Sequence, residues 1–322
     1  MKRALVIGKF MPIHYGHIAL IRFAAQQCDE VIVSMSFTPE DPIDPPLRFS
    51  WIKEIFKTEA SIKPSMIVDN FDNESLPLEE RTAGWATVIQ KIYPPIDYIF
   101  SSEAYGEPFA KHLGAKHILF DADRKKFPVA ASLLRNAPVT YWNFIPDVVR
   151  PFFVRKICFY GPESTGKSVM AKKMAEQYQT VYVPEVAREL ITSNEFSERD
   201  IIAIGYAQIQ RIREKLVKAN KFLFCDTDTI TTAIYSSHYL HTIPPILHAL
   251  EKEIAYDLYF LFDIDVPWIQ DEIRDLGSAG ERKEMYTIFK NELEKRGIPY
   301  IRVAGNWSER ERIVTEALNR ML

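Results

Sequence analysis

The chain has 322 residues, more than one hydrophobic core ordinarily spans, so two domains of usual size are expected. Hydrophobic residues make up 47% and charged residues 26%, a globular balance that excludes a disordered or fibrous chain. A formal net charge of -3 gives no general attraction to nucleic acid or an anionic membrane, so affinity for phosphates must come from local sites.

No apolar run is long enough to span a bilayer, and the basic start Met1-Lys2-Arg3 leads into too short an apolar run for a signal peptide. Cys28, Cys158 and Cys225 lie far apart in apolar contexts, without a Cys-x-x-Cys pair, and read as buried thiols of a cytoplasmic protein. Neither a nucleic-acid nor a membrane partner is expected, and oligomeric state is left open.

Short apolar runs at 4–7, 30–35, 66–68, 98–100 and 117–120 read as strands. Stretches of helical spacing or composition lie at 18–27, 47–57, 84–92 and 107–113, while 37–46, with four prolines, reads as a loop. A joint is expected within 145–155, giving domains 1–150 and 151–322. A second series of strands follows at 156–160, 181–183, 221–225, 258–262 and 299–303. Such alternation predicts two α/β domains, each a parallel sheet covered by helices on both faces.

After the first strand comes Gly8-Lys9-Phe10-Met11-Pro12-Ile13-His14-Tyr15-Gly16-His17, leading into a helix. This puts two imidazoles at a helix N-terminus, where unpaired N–H groups and a partial positive charge favour an anion. Gly16 lets the backbone approach a phosphate closely, and both histidines can donate to it. Gly8, Lys9 and Phe10 complete the expected ATP contacts. The loop resembles the His-x-Gly-His signature of the nucleotidyltransferase superfamily, whose members transfer an adenylyl or cytidylyl group and release pyrophosphate. That resemblance implies that His14 and His17 contact the triphosphate, His17 near the α-phosphate.

The superfamily's second signature, a Ser/Thr-rich turn ending in Arg, corresponds to 128–135: Ser132 and Arg135 are kept, but Ala130 stands where serine is usual. One phosphate hydrogen bond is therefore expected to be missing. Ser102, just past the strand at 98–100, lies where nucleotides bind in open α/β sheets, and is equally well read as a helix cap. Trp85 can stack on a pyridinium ring, worth about 0.5–2 kcal/mol, or sit in the core. Arg48 is a further substrate candidate, and Arg124 a weaker phosphate candidate.

At mid-chain, Gly161-Pro162-Glu163-Ser164-Thr165-Gly166-Lys167-Ser168 fits the P-loop pattern without mismatch, between the strand at 156–160 and a helical stretch at 169–178. Backbone N–H groups of Gly161 to Gly166 are expected to cradle phosphates, Lys167 to reach the β- and γ-phosphates, and Ser168 to bind Mg2+. Asp226 and Asp228 end the strand at 221–225. Asp226 is assigned to the magnesium shell and Asp228 to the substrate hydroxyl, although either can simply cap the next helix.

Glu185 and Arg188, three apart on a helical face, suit a substrate contact or a plain ion pair. Trp268, Asp271 and Arg274 offer an aromatic plane, an acid and a guanidinium at helical spacing, fit for base, ribose and phosphate, with Arg282 part of the same lid.

Order and spacing together, including Gly84-Trp85, Asp226-Thr227-Asp228 with Thr231-Thr232, and Pro267-Trp268 through Leu276-Gly277, resemble the bifunctional NadR-type adenylyltransferase and kinase family almost end to end. The resemblance implies a Rossmann-like nucleotidyltransferase domain followed by a P-loop kinase domain. It implies phosphorylation of ribosylnicotinamide to the mononucleotide NMN, then adenylyl transfer from ATP to NMN, giving NAD and pyrophosphate. Some members carry an N-terminal DNA-binding helix-turn-helix; with the first strand starting near Met1, no regulatory role is expected. Alternatives are a related fusion acting on a pantetheine, flavin or sugar phosphate, and a sensor of NAD or ATP with a weakened transferase site.

Overall fold

Among the described residues the apolar runs become ten strands, five in each of two units, Met1–Arg150 and Pro151–Leu322. The computed structural model describes residues 1–191, 196–268 and 278–322. In the first unit, β1 (Arg3–Gly8), β2 (Glu30–Phe37), β3 (Ile62–Val68), β4 (Tyr98–Ser101) and β5 (Lys116–Leu119) are all parallel, in the order β3-β2-β1-β4-β5. Central β1 buries Ala4, Leu5 and Val6 in succession, because helices cover both of its faces. The chain steps to one side of β1 and then to the other, so the carboxyl ends of β1 and β4 flank a switch-point crevice, where such sheets bind ligands.

Two elements are longer than their apolar patterns suggest. Strand β3 begins at Ile62, four residues before the run at 66–68, with Lys63 and Pro64 inside it; as an edge strand it tolerates a proline and polar side chains. The helix expected from residue 84 is Leu78–Ile92, whose first turn is acidic and exposed and so carries no apolar period.

In the second unit, β6 (Arg155–Tyr160), β7 (Val181–Val183), β8 (Phe222–Asp226), β9 (Leu258–Phe262) and β10 (Tyr300–Val303) are parallel in the order β10-β9-β6-β8-β7. Phe159 of β6 meets Phe224, Phe260 and Phe262 at ring-centroid distances of 5.7, 5.6 and 5.5 Å. Removing one such ring costs about 3–5 kcal/mol, so this layer fixes the strand ends from which the catalytic loops leave. The three cysteines are free and buried. Among the described residues no helix is long and apolar enough to cross a membrane.

Candidate active sites

Leaving β1, the chain turns through Phe10, left-handed at φ 44 and buried, and reaches His14 in extended conformation as the N-cap of helix Tyr15–Ala25. That helix starts three residues earlier than its apolar period suggests, so His17 falls at its third position. Each ring Nδ1 accepts the other residue's backbone N–H at 3.4 Å, and the rings stack with centroids 3.7 Å apart. An Nδ1 that accepts leaves the proton of a neutral imidazole on Nε2. Burial, aided by the charge of Arg124, lowers His14 from its ordinary 6.5 to about 4. Burial, then His14 and Arg124, lowers His17 well below its ordinary value. The pair therefore offers neutral Nε2–H donors at neutral pH. A Cβ on Gly16 would come within 3.1 Å of the His14 ring and 3.3 Å of Phe127 Cβ, so a side chain here would press on the histidine pair.

Gly8, Lys9, Phe10, His14, Gly16 and His17 surround one cavity of about 400 Å3. Ser102, past β4, and Ser132 and Arg135 of helix Ala131–Asn136 close it from the other side. Arg135 donates to Met11 O, which ties the second signature to the histidine loop. Ala130 is that helix's N-cap and supplies no side-chain hydrogen bond. Arg124 also lines the cavity, held by Glu103 at 2.7 Å and by Val129 O at 3.3 Å.

A second cavity, of about 430 Å3, shares Gly8, Lys9, Glu103 and Tyr105 with the first. Trp85 lines it, its Nε1–H donating to Asp72 Oδ1 at 2.9 Å and its ring lying under the Arg81 guanidinium at 5.4 Å. Arg81 grips both oxygens of Asp72 at 2.8 and 2.7 Å and, more than any other contact, holds that carboxyl below its ordinary pKa. Asp72 and Arg81 belong to no motif, and nothing local marked them. Arg48 departs from expectation. It is fully buried, donating to Lys9 O at 2.6 Å and pairing with Asp41 at 2.5 Å, so it braces the phosphate loop from behind and lines neither cavity.

The P-loop turns on Gly161 (φ 135), Ser164 (φ 54) and Gly166 (φ 87), and its helix begins at Lys167. A Cβ at Gly161 would lie 2.8 Å from Phe262 O. Lys167, nearly buried, donates to Pro162 O at 2.6 Å; burial lowers its pKa while Asp226 pulls it back up. Gly161 and Glu163 through Ser168 line a cavity of about 420 Å3. Behind the loop, Arg310 is fully buried and donates to Thr165 O at 2.8 Å, Asp263 O at 2.9 Å and Gly305 O at 2.8 Å. An arginine near the end of the chain thus braces the loop, a role no motif announced.

Asp226 ends β8, and its Oδ1 is buried with no hydrogen-bond partner among the described residues. Its carboxyl is pushed above the ordinary range by burial and by the Glu185 charge, against Lys167 and the Ser168 hydroxyl beside it. An orphaned carboxylate oxygen next to a serine hydroxyl suits a hard divalent cation. Among the described residues no three His, Cys, Asp or Glu side chains converge to hold a metal, so such an ion would draw its remaining ligands from phosphate and water.

An extended chain would leave Asp226 and Asp228 on one face; left-handed Thr227 (φ 71) separates them. Asp228 is the N-cap of helix Thr229–Leu240, its Oδ1 accepting from Thr231 N and Oγ1 at 2.9 Å and its Oδ2 from Tyr259 at 2.9 Å. Buried behind this cap, it does not line the P-loop cavity, which departs from its expected place at the substrate hydroxyl.

Glu185 and Arg188 form the expected ion pair at 2.8 Å and also line the P-loop cavity. An adjoining cavity with a mostly apolar wall shares them and extends to Phe196, Gln208 and Tyr239. Trp268 packs against the core cluster that includes Tyr160 and Phe289, with the Arg282 guanidinium 5.8 Å from its ring, so the flat aromatic surface at this cavity comes from Tyr235 and Tyr239 instead. Asp271 and Arg274 lie outside the described residues.

Two nucleotide cradles of different design, each at the strand ends of its own parallel sheet, define the class: an ATP-dependent adenylyltransferase joined to an ATP-dependent kinase. Residues 5–48 match the cytidylyltransferase-like family, and 156–310 match the AAA domain. The trifunctional NAD biosynthesis/regulator protein NadR of Escherichia coli (strain K12) is 32% identical over 93% of this chain and 78% of its own length. Its counterpart from Salmonella typhimurium is 31% identical over the same shares. A NadR protein solved in complex with NAD and AMP-PNP superposes with a TM-score of 0.81 at 22% identity, over 99% of this chain and 95% of its own, and so shares the fold. The chain belongs to the NadR family.

Proposed function

We propose that this protein makes NAD from ribosylnicotinamide in two ATP-dependent steps, the kinase step in Pro151–Leu322 and the adenylyl transfer in Met1–Arg150. The observation that supports it most is the presence of a phosphate cradle on each sheet: the stacked His14 and His17 in one, the P-loop with Lys167 in the other.

In the kinase step, the 5'-hydroxyl oxygen of ribosylnicotinamide bonds to the γ-phosphorus of ATP as the bond to the β–γ bridging oxygen breaks, ADP leaves, and the hydroxyl proton is released to water. Lys167 exchanges Pro162 O for β- and γ-phosphate oxygens, while backbone N–H groups of Gly161 to Gly166 hold the phosphates. Ser168 and Asp226 hold Mg2+, which neutralises charge on the β- and γ-oxygens when bound. Glu185 and Arg188 orient the riboside. Asp228, through its cap, positions the helix that presents Thr231 and Tyr235 to the cavity. Catalysis of this kind rests on positioning and charge more than on a strong base.

In the second step, an NMN phosphate oxygen bonds to the α-phosphorus of a second ATP, the α–β bridge breaks, and pyrophosphate leaves. Neutral Nε2–H groups of His14 and His17 donate to the oxygens that gain charge, His17 at the α-phosphate, while Lys9, Ser132 and Arg135 hold the leaving pyrophosphate. Gly8, Phe10 and Gly16 shape the backbone against ATP, Ser102 faces its nucleoside, and Trp85 carries the nicotinamide ring of NMN in the adjoining cavity.

The test supplies purified protein with ATP, Mg2+ and ribosylnicotinamide and follows products by chromatography. NMN appears first, then NAD with one pyrophosphate each. Absence of both, with adenylyl transfer to a different phosphate acceptor, would overturn the assignment.

A further inference from the structure

Helix Glu198–Leu216 turns a buried stripe toward the second unit's core, and Ile204, Gln208 and Ile212 follow one another on it at four-residue spacing. Gln208 is 2% exposed, and its Nε2 has no hydrogen-bond partner among the described residues. An amide left unpaired in such a stripe is costly, whereas an apolar side chain of the same size would not be. Ligand pockets use such groups: a mostly apolar wall with a few fixed polar atoms that orient what binds.

Its position says which end of a ligand it would meet. Gln208 lines the apolar cavity but not the P-loop cavity, whereas Glu185, Thr231 and Tyr235 line both. A riboside with its 5'-hydroxyl at the P-loop extends its base away from the phosphates, past these shared residues and toward Gln208. Tyr235 and Tyr239, with rings 19° from parallel and centroids 6.3 Å apart, flank that path.

We propose that Gln208 is a specificity residue of the kinase site, its amide hydrogen-bonding the carboxamide of the nicotinamide ring. The inference rests on the reading of this unit as a ribosylnicotinamide kinase. A primary carboxamide carries a carbonyl oxygen that accepts from the unpaired Gln208 Nε2–H and an NH2 that can donate to the Gln208 Oε1. Binding an analogue without the carboxamide would leave Gln208 unpaired, and sites built this way reject such analogues strongly.

The experiment compares phosphorylation of ribosylnicotinamide with that of ribosylpyridinium, the same riboside lacking the carboxamide, by wild type and by Gln208→Met and Gln208→Leu. Wild type should prefer ribosylnicotinamide in kcat/KM by at least tenfold. Both variants should lose that preference, through a raised KM for ribosylnicotinamide, with the KM for ATP unchanged. Thermal melts confirm that each variant is folded; should one unfold, the other carries the comparison, and Gln208→Glu, which keeps an acceptor but not the amide donor, replaces it. A preference that persists in a folded variant overturns the role of Gln208 alone. Failure of wild type to phosphorylate ribosylnicotinamide overturns the kinase reading, and this inference with it.

Discussion

His14 and His17 hold one another: each ring nitrogen Nδ1 accepts the partner residue's backbone N–H at 3.4 Å, and the two rings lie face to face 3.7 Å apart. Replacing His17 by alanine removes the donor proposed for the α-phosphate and half of this lock. Adenylyl transfer to supplied NMN should fall about 10²–10³-fold in kcat, the usual cost of one such donor. Phosphorylation of ribosylnicotinamide should continue. Conversely, Lys167→Ala should reduce phosphoryl transfer by a comparable factor or more and spare adenylyl transfer. Loss of both activities from either change in folded protein would contradict two separate sites.

The same burial gives the first unit an acid-sensitive window. Unfolded, His14 takes a proton below its ordinary 6.5; folded, not until about 4, so stability is lost as pH falls between those values. The slope for one such group is about 1.4 kcal/mol per pH unit. His14→Asn keeps a capping side chain without the titration. Thermal melts of wild type and variant between pH 8 and 4.5 should diverge only below pH 6.5, with the wild type falling faster.

Trp85→Leu should raise the KM for NMN by about 2- to 30-fold, the equivalent of about 0.5–2 kcal/mol of ring–pyridinium attraction, and leave the KM for ATP unchanged. Steady-state kinetics with each substrate varied in turn would separate the two. A change confined to ATP would place the nicotinamide ring elsewhere.

Arg310→Met leaves the carbonyls of Thr165, Asp263 and Gly305 without their shared donor. A buried, multiply bonded charge removed in this way costs about 3–5 kcal/mol. The second unit should melt roughly 10 °C lower by calorimetry. Lysine should not rescue it, because an ammonium cannot reproduce the guanidinium fork.

What sequence reading captured here is what is encoded locally. The His14 loop and the P-loop each place their chemistry within a dozen residues, between a strand and a helix, so their form followed from residue order. Arg48 shows where this fails: an arginine near a phosphate loop reads the same whether it faces a ligand or, as here, the loop's own Lys9 carbonyl. Asp228 looked catalytic by proximity to Asp226 until the turn at Thr227 carried it into a cap. Arg310 acts through contacts with distant segments and Asp72 through Arg81 and Trp85 of the next helix, while an isolated glutamine such as Gln208 in an amphipathic helix carries no sign of the cavity it faces. Strand β3 was blurred because an edge position relaxes the demand for apolar side chains.

The two chambers of the first unit have Ile7, Gly8, Lys9, Glu103 and Tyr105 in common in their walls. On the assignment proposed here, the dinucleotide left after reaction occupies both chambers as one tethered molecule, so either half that lets go is quickly recaptured while the other stays seated. Departure of finished NAD, and not bond formation, is then expected to limit turnover, and accumulated NAD should slow this half of the protein by competing with both of its substrates.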